Sequence, residues 1–216
     1  MKVVDNVYLL DSANGAGVYL IMDKDIVLID TGLPWAGKKL LKELAVMDIK
    51  PSDIKHILLT HNDVDHTGNA AMLQKYTGAR LWADKEDIPY IMGDIERPSF
   101  KKYLARAARL KKPGTINSYD EWEEFSSLNV KVIPTPGHTP GHVCLLYKDI
   151  LFIGDLVENR KGYFKPFPDA WNWDAEKARE SIEKISRFSF EWICPSHGTP
   201  VRSRTLLESK KMMGNK

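Results

Sequence analysis

Apolar positions along this chain fall into two kinds of run. Short stretches rich in β-branched and aromatic residues cover 3–10, 17–22, 26–30, 55–60 and 80–83 in the first half. Similar stretches cover 130–134, 143–147, 150–153 and 192–194 in the second. Each is bounded by turn-forming residues, the pattern of a buried strand. Asp23-Lys24-Asp25 and Lys148-Asp149 read as hairpin turns. Between the strands, apolar residues recur at helical spacing. Leu40, Leu41, Leu44 and Met47 predict a helix over 36–47, and residues 67–76 predict another that Gly78 stops. Ile182, Ile185 and Phe188 predict an inward stripe on a helix over 174–188, with Asp174 as N-cap.

Hairpin, helix and strand thus occur twice, and no linker separates the halves. The expectation is a single α/β domain over 1–216, with two mixed sheets packed face to face and helices outside. Residues 84–115 interrupt the pattern. Pro89, Pro98, Pro113, Gly93 and Gly114 punctuate them, and a helix over 99–112 carries Lys101, Lys102, Arg106, Arg109, Lys111 and Lys112. Its expected apolar stripe is Phe100, Leu104, Ala107 and Ala108, which leaves the basic residues on a solvated face. The alternative is a helical insertion acting as a lid whose charge attracts an anionic substrate.

Composition narrows the class. The chain has 216 residues, 43% hydrophobic and 28% charged, with a formal net charge of +2. That balance gives no global attraction to nucleic acid or an anionic membrane. No apolar run approaches the roughly 20 residues of a membrane helix. Cys144 and Cys194 do not make a disulfide framework. The first residues enter a strand-like segment with no signal-peptide core, so a cytoplasmic setting is expected. A small-molecule substrate is the expected partner, and a homodimer is compatible with the sequence.

The histidines carry the chemistry. Five of the six fall in three loops where strand-like runs stop: Thr60-His61-Asn62-Asp63-Val64-Asp65-His66, Pro136-Gly137-His138-Thr139-Pro140-Gly141-His142, and Pro195-Ser196-His197-Gly198. Phe152-Ile153-Gly154-Asp155 adds a carboxylate. Imidazole nitrogen and carboxylate oxygen suit zinc, iron and manganese, so strand ends bearing these groups predict a metal site, with two metals the fuller reading. His56 reads as structural, and both cysteines read as buried strand residues.

These motifs, with Ile29-Asp30-Thr31-Gly32, stand in the order of the metallo-β-lactamase superfamily, which the chain resembles over nearly its full length. The resemblance implies an αβ/βα sandwich with a two-metal site along one edge of the sheets. By motif, it implies that His61 and His138 bind one metal, that Asp65, His66 and His197 bind the other, and that Asp155 bridges them. His142 and Asp30 would stand behind the ligands, Asp30 fixing the orientation of one. Asp63 departs from the pattern, which has histidine there. As a ligand, its oxygen would shift preference from zinc, the first expectation, toward iron or manganese. The flavodiiron oxygen reductases of the same superfamily carry a carboxylate at the matching place.

Two metals about 3.5–4 Å apart can share a water and lower its pKa toward ~7, giving a hydroxide that attacks a carbonyl or phosphoryl centre. Asp65, where it is not tied up as a ligand, would pass the proton to the leaving group. The leading expectation is hydrolysis of a small ester, thioester or lactone, as in glyoxalase II or lactonases. The alternatives are a phosphodiesterase or nuclease, and a di-iron redox protein that needs a separate electron donor. Tyr163, Phe164, Phe167 and Trp171 are candidates for a substrate-groove wall, with Trp35 and Trp82 weaker ones.

Overall fold

In the computed structural model every residue is described except 14, 99, 122–127, 161–162 and 204–216. The chain divides into two compact units, Met1–Trp122 and Glu123–Lys216.

The first unit is built on a seven-stranded sheet whose spatial order follows the chain: β1 (Lys2–Val4), β2 (Val7–Leu10), β3 (Val18–Met22), β4 (Ile26–Ile29), β5 (Ile54–Leu58), β6 (Arg80–Ala83) and β7 (Ile116–Ser118). The first four strands are antiparallel neighbours, and β4 to β7 run parallel. Parallel neighbours need crossovers, and helices supply them. These are α1 (Gly37–Val46), α2 (Val64–Thr67) with α3 (Ala70–Thr77), and α4 (Ile88–Met92) with α5 (Lys101–Ala108). Leu40 and Leu44 of α1 and Leu73 of α3 pack with Leu20, Leu28 and Ile57 in one buried cluster. The parallel arrangement brings the loops after β4 and β5 to the same end of the sheet, where ligands bind in such sheets.

The second unit holds a five-stranded sheet, ordered β14 (Val201–Arg202), β13 (Trp192–Pro195), β10 (Ile150–Gly154), β9 (Val143–Tyr147) and β8 (Val130–Pro134). A separate antiparallel pair joins β11 (Val157–Arg160) to β12 (Tyr163–Pro166). Only β10 and β13 are parallel, and the crossover between them contains α6 (Ala175–Ile185). The Asp174 carboxylate accepts hydrogen bonds from the Glu176 and Lys177 amides, so it caps that helix. Ile182 and Ile185 meet Ile133, Leu151, Ile153 and Phe164 in the unit's core.

Three expectations about the elements differ from the structure, the first being the run over 3–10, which is two antiparallel strands, β1 and β2, joined by a turn at Asp5-Asn6. The helix read over 67–76 is two pieces, because Asn69 leaves the helical path. Its side-chain amide donates to the Thr31 and Leu33 carbonyls at 2.7 and 2.6 Å, and its carbonyl accepts from the Gly37 amide. The apolar stripe expected on α5 is also displaced. Leu104 is 46% exposed and Lys101 only 5%. Lys101 is the buried residue of α5, its ammonium held by Asp63, while Ala105 and Ala108 are half-buried.

Candidate functional site

In the first unit the loop after β5 delivers four candidate donors. Ring centroids of His61 and His66 are 3.9 Å apart. His61 Nε2 lies 3.8 Å from Asp63 Oδ2, and His66 Nε2 lies 3.9 Å from Asp65 Oδ2. Both imidazoles, Asp63 and Asp30 are buried. Such a group of carboxylates and imidazoles suits a divalent cation, provided the rings present a lone pair.

The hydrogen bonds behind the rings say that they do. Asp30 accepts from the Thr60 amide at 2.8 Å and from the Thr60 hydroxyl at 2.7 Å. Its Oδ2 lies 2.8 Å from His66 Nδ1, and a carboxylate accepts, so His66 Nδ1 carries the proton. Thr60 has given its one hydroxyl hydrogen to Asp30. Its oxygen therefore accepts from His61 Nδ1, 3.0 Å away. Both rings are thus Nδ1–H tautomers that keep the lone pair on Nε2, the arrangement that would suit ligating histidines. Asp30 does this from the left-handed region, at φ 60°. The turn it opens is stitched to the same loop, since the Thr31 amide and hydroxyl both donate to the His66 carbonyl.

Asp63 has a further neighbour. Lys101 Nζ lies 2.7 Å from Asp63 Oδ2, and the two side chains are 7% and 10% exposed. Nearby, the buried Arg97 donates through Nε and Nη2 to the Asn62 carbonyl at 2.9 and 2.6 Å. Burial pushes the Arg97 guanidinium below its usual range, opposed by the charges of Asp63 and Asp87.

In the second unit one oxygen sits between two imidazoles. Asp155 Oδ2 is 3.6 Å from His138 Nε2 and 3.3 Å from His197 Nε2. The β10–β13 pairing shifts register between Phe152 and Gly154, just before Asp155. Irregularities of this kind re-aim side chains at sheet ends. His138 directs Nδ1 to the Asn172 side-chain oxygen Oδ1 at 3.1 Å, which leaves Nε2 as its ligating atom. His142 has no nitrogen to offer. Its Nε2 accepts from the Asp155 amide at 3.1 Å, so its protonated Nδ1 donates to Thr135 Oγ1 at 2.9 Å. It holds the backbone of Asp155 in place.

Local packing fixes these loops closely. A Cβ on Gly137, beside His138, would lie 2.2 Å from the Ala178 amide, and one on Gly198, beside His197, would lie 2.0 Å from the Asn159 carbonyl oxygen. Only glycine permits such approach. The His197 carbonyl also accepts from the Asn159 amide of β11 at 2.8 Å.

Of the expected groove residues, Phe167 packs edge-on against His138 and His197, at centroid distances of 5.0 and 5.5 Å. Phe164 is fully buried in the core of the second unit and lines no groove, because its place on β12 turns it inward. Trp171 is exposed, and the side chain of Tyr163 lies outside the described residues. Trp35 is exposed, whereas Trp82 is buried and donates to His56 Nδ1.

Residues 14–197 match the family model described as the metallo-beta-lactamase superfamily. The chain belongs to that superfamily. This metallo-beta-lactamase superfamily member is 26% identical to the probable metallo-hydrolase YflN of Bacillus subtilis, over 93% of this chain and 87% of that one. It is 25% identical to the hydroxyacylglutathione hydrolase GloC of Haemophilus influenzae, over 62% of each chain. A metallo-beta-lactamase family protein of Thermus thermophilus shares its fold with a TM-score of 0.76 at 18% identity, covering 98% of this chain and 79% of that one. The chain is a metallo-hydrolase of this superfamily, with mixed sheets flanked by helices and residues suited to divalent metal ions. Among the described residues no helix is long and apolar enough to cross a membrane.

Four contributors escaped the sequence reading: Thr60, Asn172, Arg97 and the inward role of Lys101. Thr60 alone carried a local signal, a hydroxyl at a strand end adjoining a histidine.

Proposed function

We propose, following the superfamily pattern, that His61 and His138, with Asp63 in place of the usual histidine, hold one cation, that Asp65, His66 and His197 hold another, and that Asp155 is shared. The observation that carries this reading is the shared oxygen Asp155 Oδ2, flanked by the Nε2 atoms of His138 and His197. An oxygen so placed suits the bridging role that the superfamily pattern gives Asp155. Zinc is the first candidate, with iron or manganese next because of Asp63.

The reaction we infer is hydrolysis of a small ester, thioester or lactone. Bound divalent cations would supply Lewis acidity and a water acidified to react near neutral pH. The chain's own residues do the rest. The Asp30–Thr60 network keeps both imidazoles of the first unit in one tautomer. Phe167 puts an apolar ring beside His138 and His197, where it would shed water from an acyl group. Asp65, with its side chain 26% exposed, is more accessible than Asp63 or Asp155, and where it is not tied up as a ligand it suits proton transfer to the leaving group. The hydroxyacylglutathione hydrolases among the relatives make thioesters the first class to try. No observation favours the nuclease reading separately. The setting we infer is cytoplasmic.

The test begins with metal analysis of protein purified without added metal, followed by thioester, ester, lactone and bis-p-nitrophenyl phosphate substrates. About two divalent ions per chain with acyl-substrate turnover is the expected result. Turnover of the phosphodiester alone would overturn the substrate class, and two irons with oxygen consumption would replace hydrolysis with redox chemistry. His66→Ala should remove turnover and lower metal content. Full activity in that variant would refute the ligand assignment.

A further inference from the structure

We propose that Lys101 is the counter-charge that allows a carboxylate at position 63, and that the pair together, rather than Asp63 alone, sets how strongly the adjoining cation is held. The inference rests on the metal-binding reading above.

Asp63 is a buried carboxylate on a loop that already holds Asp65 and leans on Asp30. Burying a charge without an opposite charge is costly. Lys101 supplies one at 2.7 Å, from a side chain itself only 7% exposed. Lysine is almost never so buried unless paired. Arg97 arrives from the same 84–115 segment and binds the neighbouring Asn62 carbonyl with two donors. Two cations of one segment thus engage two consecutive residues of the donor loop.

The electrical consequence is specific. An Asp63⁻–Lys101⁺ pair carries no net charge, as a neutral imidazole carries none. Lys101 therefore returns this position to the charge of a histidine while leaving an oxygen beside His61. It also places an ammonium close to where a divalent cation would sit, which opposes the cation. Asp63 would draw the cation in and Lys101 would temper that pull, leaving it a stronger Lewis acid than a bare carboxylate would.

The test is a cycle on residues 63 and 101, read as zinc affinity by chelator competition and as thermal stability of the metal-free protein. Lys101→Met should tighten zinc at the affected site by about tenfold, since a nearby positive charge is gone. It should also lower the melting temperature of the metal-free protein. Lys101→Arg keeps the charge and should stay within about threefold of wild type. Asp63→His should weaken zinc by about tenfold or more, because it leaves a buried ammonium facing a cation. Asp63→His/Lys101→Met should recover to within about threefold of wild type, the signature of coupled sites. Should Lys101→Met fail to fold, Lys101→Arg and the double variant carry the test. Equal zinc affinity of Lys101→Met and wild type, or a double variant no better than Asp63→His, overturns this inference and leaves metal binding intact. A wild-type protein that takes up no metal overturns both.

Discussion

Asp30 shows how much of a site can rest on a residue that is not itself a ligand. Both of its oxygens are engaged by the loop that carries His61 and His66, and its backbone sits in the left-handed region to bring them there. Strain of that kind persists where the surroundings hold it, often at functional sites. Asp30→Asn would keep the shape but turn one accepting oxygen into an NH2 group, so at least one of the three donors (the Thr60 amide, the Thr60 hydroxyl and His66 Nδ1) loses its acceptor. We expect zinc affinity to fall about 10–100-fold with the fold retained, as for other residues that orient ligands. Chelator competition checks this, and unchanged affinity would dismiss the orienting role. The same scale explains what a sequence reader misses. Histidines and aspartates announce metal chemistry by their type, whereas Lys101 looks like any solvated charge and its partner lies on a distant loop.

At the scale of elements, α6 and the His138 loop depend on each other. The Asp174 amide donates to the Gly137 carbonyl, the Trp173 amide donates to the His138 carbonyl, and Asp174 caps the helix. Asp174→Ala should cost about 1 kcal/mol, seen as a lower melting temperature. Gly137→Ala should cost more, since its Cβ would press on the Ala178 backbone. If the order were reversed in thermal melts, the close approach would not be what fixes this loop. The main strands and helices were legible because their apolar periodicity is plain. β7, β11 and β14 were not, because Asn117, Glu158, Asn159 and Arg202 give them no apolar alternation and their pairing is settled by neighbours. Asn69 split a helix for a related reason, its amide being satisfied by carbonyls far back in the sequence.

For the molecule as a whole, both cysteines lie at strand positions with essentially no exposure. Burial pushes the Cys144 thiol up to about 12, opposed by its hydrogen bond with Thr135, and raises Cys194 as well. Thiolate is the reactive form, so neither should be alkylated in the native protein near pH 8. Both should react once the chain is denatured. The same shifts give a sign for stability. An unfolded thiol ionises near its ordinary value of 9.0, while the folded one stays neutral, so the thiol contribution is complete below pH 9 and declines as pH rises toward 12. Mass spectrometry after iodoacetamide treatment checks the first statement. Denaturant melts between pH 8 and 11 check the second, and rapid native labelling would contradict both.

The Thr60 hydroxyl has a consequence for anyone transplanting this loop into another scaffold. It has a single hydrogen, and sending that hydrogen to Asp30 is what obliges His61 to point its own ring proton backward. The portable cassette is therefore the run from Thr60 to His66 together with an acid standing where Asp30 does. A graft that copied the histidines and aspartates but put valine at 60 would reproduce the recognisable signature and leave one ring free to swivel.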